Sequence, residues 1–371
     1  MKPDFQLRDV FNPHVVNQLA QSIANAWPEF DQSGFADTIN SQLGSLSFGD
    51  RNKLIRDSLW EYLPRDYPRA IEILLASLEP EIPECELTGY DRFIVMSQND
   101  YVAEYGLDHF ELSMKALHEM TKRFTAEGAI RAFIQRHPEQ TLTRLARWAE
   151  DENCHVRRLV SEGTRPRLPL APRLPQFIED PRPVLALLEK LKADPELMVR
   201  RSVANNLNDI AKDNPSLVVE TLKAWQEENN AGTQWIIRHA SRTLVKQGNK
   251  EALALLGYPP DVAIEVLHLE LNDSRIRIGD DLVFKFRVQS NTDEAQNLMV
   301  DYVVHHMKAN GKLAPKVFKL AKKVLKGWGS LRLTKRHSFR PISTRKYYTG
   351  KHLLEIQING KIYAQAEFTL E

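Results

Sequence analysis

The hydrophobic positions of this chain change their spacing near residue 260. Before that point they recur every three or four residues, as at Val15, Leu19 and Ile23, which is the pattern of one buried helix face. After it, apolar and polar residues alternate in short runs, which is typical of strands in a two-layer sheet. The stretch 257–260 reads Gly-Tyr-Pro-Pro and predicts a linker. The pattern therefore predicts a helical part followed by a small all-β part.

An arginine-bearing helix pattern occurs three times in the helical part. The copies begin near Val156, Val199 and Ile236, and each follows another helix-like segment. Such helical pairs, about forty residues apart, have the period of HEAT-type solenoids. We therefore predict a HEAT-like helical-repeat solenoid, in which the second helices of successive pairs line one concave face.

This solenoid would bring arginines together. Arg158, Arg201 and Arg238 occupy similar places in the three copies and are expected to form a basic stripe. Glu162 and Asp209 lie among them. An acid inside a cationic groove calls for an explanation, because it repels any polyanion bound there.

Further elements follow from the same spacing. Helices are predicted over 50–62, 70–78, 122–135 and 140–148. The stretch 165–175 contains four prolines and is predicted to be an extended basic loop, since proline removes a donor and blocks the helical conformation before it.

The C-terminal part has the size and pattern of an immunoglobulin-like β-sandwich. Strands are predicted over 266–271, 282–288, 298–305, 353–358 and 363–369, with a turn at Asn359-Gly360 before the last one. Between the third and fourth of these, residues 308–351 hold 14 Lys and Arg and no acid. The predicted domains are 1–117 (N-terminal helices), 118–260 (repeats with the groove and active site) and 262–371 (the sandwich).

Composition narrows the class of protein. Two cysteines among 371 residues exclude a disulfide framework and are too few for a structural zinc site, and His and carboxylates form no recognisable metal cluster. The N-terminus lacks the apolar core of a signal peptide. No apolar run reaches the ~18 residues that cross a bilayer. These features predict a cytoplasmic protein with reduced cysteines, no membrane contact and no metal.

The net charge of +1 conceals a gradient. Residues 1–117 carry 9 Lys and Arg against 19 Asp and Glu, a net of −10. The net charge is +4 over 118–260 and +7 over 261–371. This asymmetry predicts that a polyanion binds the middle and C-terminal parts.

Arginine suits phosphate because its planar fork donates two hydrogen bonds to neighbouring oxygens. The predicted phosphate contacts of the solenoid are Arg157, Arg158, Arg165, Arg167, Arg201, Arg238 and Arg242, with Asn205 and Asn208 beside them. The predicted contacts of the sandwich are Lys322, Lys323 and Arg336.

The acids near these arginines have two interpretations. Glu127 lies four residues from both Arg123 and Arg131, and Glu162 lies four after Arg158, which are spacings of ordinary helix ion pairs. Alternatively, the acids could bind a cationic base or the positive charge that develops on deoxyribose when a glycosidic bond breaks. The spacing alone leaves both open.

Several motifs resemble those of bacterial DNA alkylation repair glycosylases of the AlkC and AlkD type. They are 124–131 (FTAEGAIR), 161–169 (SEGTRPRLP), 205–210 (NNLNDI) and 238–244 (RHASRTL). The β part resembles the immunoglobulin-like module of some AlkC members. One departure is Leu170, because an aromatic residue often follows the Arg-Pro-Arg-Leu-Pro run in the family.

The resemblance implies a function. It implies a monofunctional glycosylase that removes 3-methyladenine and 3-methylcytosine from duplex DNA without base flipping. The active-site acids would be Glu127, Glu162 and Asp209, which would stabilise the cationic sugar and position water. No lysine stands out as a Schiff-base nucleophile, no cofactor is expected, and the protein is expected to be a monomer. The rival prediction is a non-catalytic HEAT-repeat scaffold that binds DNA or a partner protein.

Overall fold

The computed structural model describes residues 5–83, 85, 90–343 and 345–371. Its first part is helical and its last part is made of strands. The helices are α1 (Pro13–Ala26), α2 (Gln32–Asn40), α3 (Phe48–Tyr62), α4 (Tyr67–Ala76), α5 (Ile94–Tyr105), α6 (Phe110–Thr121), α7 (Ile130–Arg136), α8 (Pro138–Trp148), α9 (Cys154–Gly163), α10 (Pro175–Glu179), α11 (Arg182–Leu191), α12 (Leu197–Ile210), α13 (Pro215–Glu227), α14 (Ala231–Ala240), α15 (Arg242–Lys246) and α16 (Lys250–Leu255). The strands are β1 (Ile264–Leu271), β2 (Arg275–Ile276), β3 (Asp281–Ser290), β4 (Gln296–Met307), β5 (Leu313–Leu325), β6 (Ser330–Ser338), β7 (Gly350–Ile358) and β8 (Lys361–Leu370).

The chain divides into two compact units. Residues up to Asn214 form the first unit together with Glu227–Ala240, and Pro215–Gln226 forms the second with Ser241–Glu371. The predicted domain boundaries divide the chain in another way and stay predictions. None of the described helices is long and apolar enough to cross a membrane.

The arginine-bearing helices of the first unit stack as the repeat predicts. Helix α9 packs against α12, and α12 packs against α14. Local chemistry starts α9 where it does, since the Asn153 side chain accepts a hydrogen bond from the backbone N–H of His155. Val156, Leu159 and Val160 of α9 are fully buried, so its apolar face builds the core. The fold class predicted from the spacing is confirmed.

The helix predicted over 122–135 is wrong in its first half. Helix α6 ends at Thr121 and α7 begins at Ile130, so the segment 122–129 between them is not helical. Two side chains stabilise this break. Thr125 pairs its hydroxyl with the backbone N–H of Glu127, and Asn99 donates its amide to the carbonyls of Phe124 and Thr125. Side-chain bonds of this kind give the backbone an alternative to the helix.

The third arginine-bearing pattern is also divided. Helix α14 ends at Ala240 and α15 begins at Arg242, so Arg238 and Arg242 belong to different helices. They also belong to different compact units.

The two cysteines are bonded to each other. Cys85 and Cys154 form a disulfide whose Cα atoms lie 6.0 Å apart, which corrects the prediction of free thiols. The bond joins the segment after α4 to the first residue of α9. The sequence could not show this, because 69 positions separate the two residues.

The β-sandwich has two sheets. One has the order β1-β3-β6 and the other β2-β8-β7-β4-β5. Their inner faces enclose a core that includes Phe284, Phe286 and Phe339. Asn359 and Gly360 both have positive φ, at 48° and 79°, as the predicted hairpin turn requires.

Strands β5 and β6 lie within the lysine-rich stretch 308–351, where the pattern of the sequence predicts no strand. Strand β5 is at the edge of its sheet and leaves most of its side chains exposed. Lysines are a common means of protecting such an edge from pairing with another chain, and they hide the alternation of apolar residues.

Two histidines of the sandwich, His306 and His337, lie among aromatic rings. His306 and His337 lie near Phe318 and Phe339, and Arg345 donates to His306 at 3.1 Å. Burial, together with the charge of Arg345, lowers the pKa of His306 to about 3 and that of His337 to about 4. Both rings are therefore neutral in the folded protein at neutral pH.

These histidines should make the second unit acid-labile. Below pH 6.5 the histidines bind protons in the unfolded chain but stay neutral in the folded one. The contribution of these rings to the free energy of unfolding, present in full above pH 6.5, is therefore lost as the pH falls toward 4. We expect each ring to cost on the order of 1–2 kcal/mol at pH 5. Urea unfolding at pH 7 and pH 5 measures this loss. The variant His306→Phe should lose less between the two pH values, and an equal loss would contradict the account.

Candidate functional site

The three predicted catalytic acids lie in one chain of ion pairs. Glu127 is in the non-helical segment before α7, Glu162 is on the last turn of α9, and Asp209 is on the last turn of α12. Two arginines, Arg158 and Arg165, lie between them. We call these five residues the carboxylate–arginine network.

Arg165 pairs with the two more deeply buried of the three acids, Glu162 and Asp209. Its Nη1 lies 2.6 Å from Oε1 of Glu162, and its Nε lies 2.8 Å from Oδ2 of Asp209. The two acids are 5% and 2% exposed. Ser202 donates to the second oxygen of Glu162 at 2.5 Å, and Lys212 donates to the second oxygen of Asp209 at 2.7 Å. Each acid therefore has a partner on both of its oxygens.

Arg158 extends the network to the third acid. Its Nη1 lies 3.0 Å from Oε2 of Glu127 and 3.1 Å from the hydroxyl of Thr125, and its Nη2 lies 3.8 Å from Glu162. Glu127 is the most accessible of the three acids, with 24% of its side chain exposed. It is thus the acid most able to meet a molecule that enters the site.

Glu162 and Arg165 keep their charges despite their burial. Burial opposes ionisation of Glu162, but Arg158 and Arg165, with the hydroxyl of Ser202, hold its pKa below the ordinary value. Burial likewise opposes the charge of Arg165, and its two acids raise its pKa nonetheless. At neutral pH the carboxylate of Glu162 is therefore ionised and fixed in place beside Arg165.

Glu127 pairs with Arg158 rather than with Arg123 or Arg131, the two partners that its spacing suggested. Arg123 instead pairs with Glu119 at 3.2 Å. Arg131 is 3% exposed and donates to the carbonyls of Gly163, Arg165 and Pro172. The pair of Glu162 with Arg158 does form, but Arg165 lies closer.

Arg131 therefore shapes the proline-rich loop. Its guanidinium donates to the carbonyl of Gly163 at the end of α9 and to those of Arg165 and Pro172 in the loop, while burial and the charge of Arg165 lower its pKa to about 10. In this way it fixes the backbone that carries Arg165. Sequence reasoning did not give Arg131, Ser202 or Lys212 a part in the site. The sequence carries little sign of these roles. Ser202 meets Glu162 only because α12 packs against α9, and Lys212 meets Asp209 from just beyond the end of α12.

Two predicted phosphate contacts have structural partners. Arg157 forms a two-bond ion pair with Asp194, at 2.6 and 3.1 Å, and donates to two backbone carbonyls as well. Arg167 forms a two-bond pair with Asp213, at 2.8 and 2.7 Å. The donors of Arg157 are thus largely used within the protein, and its contact with phosphate stays a prediction.

The other predicted contacts of the helical part differ in exposure. Arg201, Arg238 and Arg242 are exposed, whereas Asn205 and Asn208 are half-buried. Arg201 and Arg238 lie on α12 and α14, two helices that pack together. The structure thus leaves fewer exposed arginines on the stripe than the repeat predicted, because Arg158 is inside the carboxylate–arginine network.

The predicted contacts of the sandwich lie on different sheets. Lys322 and Lys323 are exposed on β5, and Arg336 is exposed on β6 next to Asp281. Since β5 and β6 belong to separate sheets, the three residues do not share one sheet face. The described residues contain no group of three His, Cys, Asp or Glu that could hold a metal.

A cavity of about 320 Å³ adjoins the network within the first unit. Glu127 and Arg158 form part of its lining, and Phe48, Phe93 and Phe124 form its aromatic walls. The proline-rich loop closes one side with Leu168 to Ala171. Leu170 of that loop is 84% exposed and has a φ of 60°, which is unusual for a residue with a side chain.

Comparison with known proteins identifies the family. Residues 44–244 match the family model described as DNA alkylation repair enzyme, and residues 265–371 match the C-terminal Ig-like domain of the uncharacterised protein YhaZ. The first match covers more than half of the chain. The chain belongs to the DNA alkylation repair enzyme family, and the resemblance seen in its sequence is confirmed.

Two relatives match over nearly the whole length. The uncharacterized protein YhaZ of Bacillus subtilis (strain 168) is 38% identical over 363 residues, which are 98% of both chains. The structure of Pseudomonas fluorescens alkylpurine DNA glycosylase AlkC, bound to DNA containing an abasic site analog, is 36% identical. That comparison covers 99% of this chain and 100% of the other, with a TM-score of 0.85.

Arg165, which pairs with both Glu162 and Asp209, should be essential to the fold. In Arg165→Met, Glu162 and Asp209 lose their common cation while they stay buried, so we expect a loss of about 3–5 kcal/mol in the free energy of unfolding. Arg167→Met is the matched control. Its pair with Asp213 is one-quarter exposed on both sides, and its loss should cost under about 1 kcal/mol. Urea unfolding at pH 7 measures both, and similar losses would contradict the assignment.

Proposed function

We propose that this protein is a monofunctional DNA glycosylase that removes cationic N-alkylated bases, 3-methyladenine and 3-methylcytosine, from duplex DNA without base flipping. The observation that carries the proposal is the carboxylate–arginine network, in which two arginines hold three acids together in a member of the DNA alkylation repair enzyme family. The relative with a solved DNA complex is an alkylpurine glycosylase, which supports the same activity here.

The chemistry suits a site with negative charge. When the bond between C1′ and the base nitrogen breaks, its electron pair goes to the base and neutralises the positive charge of the alkylated ring. The positive charge moves to the sugar as an oxocarbenium ion, which carboxylates stabilise. A water oxygen then bonds to C1′ and gives up its proton. Because the base leaves neutral, no acid is needed to protonate it.

The acids divide this work by their exposure. Glu162 and Asp209 are buried and fixed, so they supply a constant negative potential to the sugar. Glu127 is more exposed and accepts hydrogen bonds from Thr125 and Arg158, so it is the group that positions water. Groups that are already oriented need no rearrangement when the charge develops, which makes them effective.

The DNA grip is assigned to exposed cations. On the helical part these are Arg201, Arg238 and Arg242, rather than the half-buried Arg157 and Arg158. On the sandwich they are Lys322, Lys323 and Arg336. We propose that the protein acts as a cytoplasmic monomer without a cofactor.

Neutralising an acid should slow excision more than it weakens binding. We expect Glu162→Gln and Asp209→Asn to lower the single-turnover rate for 3-methyladenine roughly 10²–10³-fold, the scale for one lost electrostatic stabiliser. DNA affinity should be kept or increased, because a charge that repels phosphate has gone. Uracil, which leaves as an anion, should be excised poorly by every variant.

The control is another ion-paired carboxylate of the same unit. Glu119 pairs with Lys122 and Arg123, and despite its partial burial these partners lower its pKa to about 2. Glu119→Gln should therefore lose an ion pair without losing excision rate. If folded Glu162→Gln and Asp209→Asn proteins excise at the wild-type rate, the acids are structural. If the wild type releases no base at all, the non-catalytic scaffold is the correct interpretation.

DNA binding should depend on salt through the exposed cations. Since each phosphate contact releases counterions, affinity should fall steeply with salt concentration, and Arg201→Ala or Lys323→Ala should reduce the logarithmic slope by about 1 each. Arg182→Ala is the control, as this exposed arginine is on α11 and pairs with Asp180. Fluorescence anisotropy on undamaged duplex at several salt concentrations measures the slope. A slope that no variant changes would refute the grip.

A further inference from the structure

The cavity beside Glu127 has the size of a small-molecule binding site. Its volume of about 320 Å³ lies at the small end of the range for ligand pockets, ≈ 300–1,000 Å³. Three aromatic rings, Phe48, Phe93 and Phe124, line it. Planar heterocycles stack on such rings, and every nucleobase has a flat face to offer.

A carboxyl group outside the network also lines the cavity. Asp100 of α5 is half-buried and, in the described part of the chain, accepts one side-chain hydrogen bond, from Asn52 at 2.5 Å. A carboxyl group has two oxygens and can accept further hydrogen bonds from N–H donors. Its neighbour Asn99 is fixed by bonds to the carbonyls of Phe124 and Thr125, so it holds the wall that carries Glu127.

The polar groups are therefore arranged for an N–H-bearing ring. Glu127 and Asp100 both line the cavity, together with the three aromatic rings and apolar residues of the loop. Both acids accept hydrogen bonds, and the guanidinium of Arg158, which also lines the cavity, is already paired with Glu127. The chemistry fits a neutral or cationic nitrogen heterocycle that carries an exocyclic amino group.

We propose that this cavity binds the free alkylated base after its bond to the sugar has broken, with Asp100 accepting from its N–H groups and the phenylalanine rings stacking on it. The inference rests on the proposed function, since it takes the product of that reaction as its ligand. It adds a product site that shares Glu127 with the carboxylate–arginine network. A base that departs into the cavity leaves the sugar open to water.

Two variants test the site. Asp100→Asn keeps the size of the side chain and an oxygen that can accept from Asn52, but it loses the charge. It should weaken binding of free 3-methyladenine about tenfold or more, the scale of a hydrogen bond to a charged group. Gly128→Leu should narrow the cavity, because Gly128 lines it, and the added side chain fits without a clash since its Cβ would meet no atom within 4 Å.

The matched control is Glu104→Gln. Glu104 is on the same helix as Asp100, one turn further along, and pairs with Arg56 outside the cavity. Isothermal titration of free 3-methyladenine into each full-length protein should show binding for the wild type and Glu104→Gln. It should show weaker binding for Asp100→Asn and none for Gly128→Leu. Free base should also inhibit excision by the wild type but not by Gly128→Leu.

The outcomes separate the site from the function. If the wild type excises 3-methyladenine from DNA but does not bind the free base, the product site is refuted and the function stands. Equal binding by the wild type and a folded Gly128→Leu protein also refutes the site. If the wild type binds the free base but excises none, the cavity is a base site and the proposed function fails.

Discussion

The sharing of two arginines among three acids is the constraint on which the site depends. Arg158 serves Glu127 and Glu162, and Arg165 serves Glu162 and Asp209. Because each arginine has two partners, a movement of one segment would leave a buried charge without its counterion, and that is costly. Ion pairs as well as packing therefore fix the positions of three segments relative to one another: the segment before α7, helix α9 and helix α12.

The break in the helix before α7 has a chemical purpose in this arrangement. Had the helix continued from residue 122, Glu127 would have been placed by helical geometry with Arg123 and Arg131 as its neighbours. Thr125, Asn99 and the arginine pair together hold it elsewhere, at the border between the network and the cavity. The same non-helical segment includes Gly128, so it forms part of the cavity wall too.

The second unit is more than a sandwich attached by a linker. Val245 and Leu253 of α15 and α16 pack on Met299 of β4. Asn359 donates to the carbonyl of Pro259 at 2.7 Å and bonds to the backbone of Met299. A truncation at residue 261 would remove the partners of these helices. A shorter helical protein should therefore also lack residues 241–260.

The sequence by itself determined the architecture and the membership of the family. Helical spacing and strand alternation report which face of an element is buried, and both are local properties of the chain. They gave the three stacked arginine-bearing helices and five strands of the sandwich. The motifs around Glu127, Glu162 and Asp209 gave the candidate acids, whose catalytic role remains a prediction, and the family, which is confirmed.

Only the tertiary structure decided which charges meet. Arg165 reaches Asp209 across 44 positions, Arg157 reaches Asp194 across 37, and the two cysteines meet across 69. Periodicity cannot show such pairs, because they depend on how helices pack and not on spacing within one helix. The edge strands β5 and β6 were hidden for a related reason. Their exposure is set by their place in the sheets, and lysine suits an exposed edge although it obscures the alternation by which a strand is recognised.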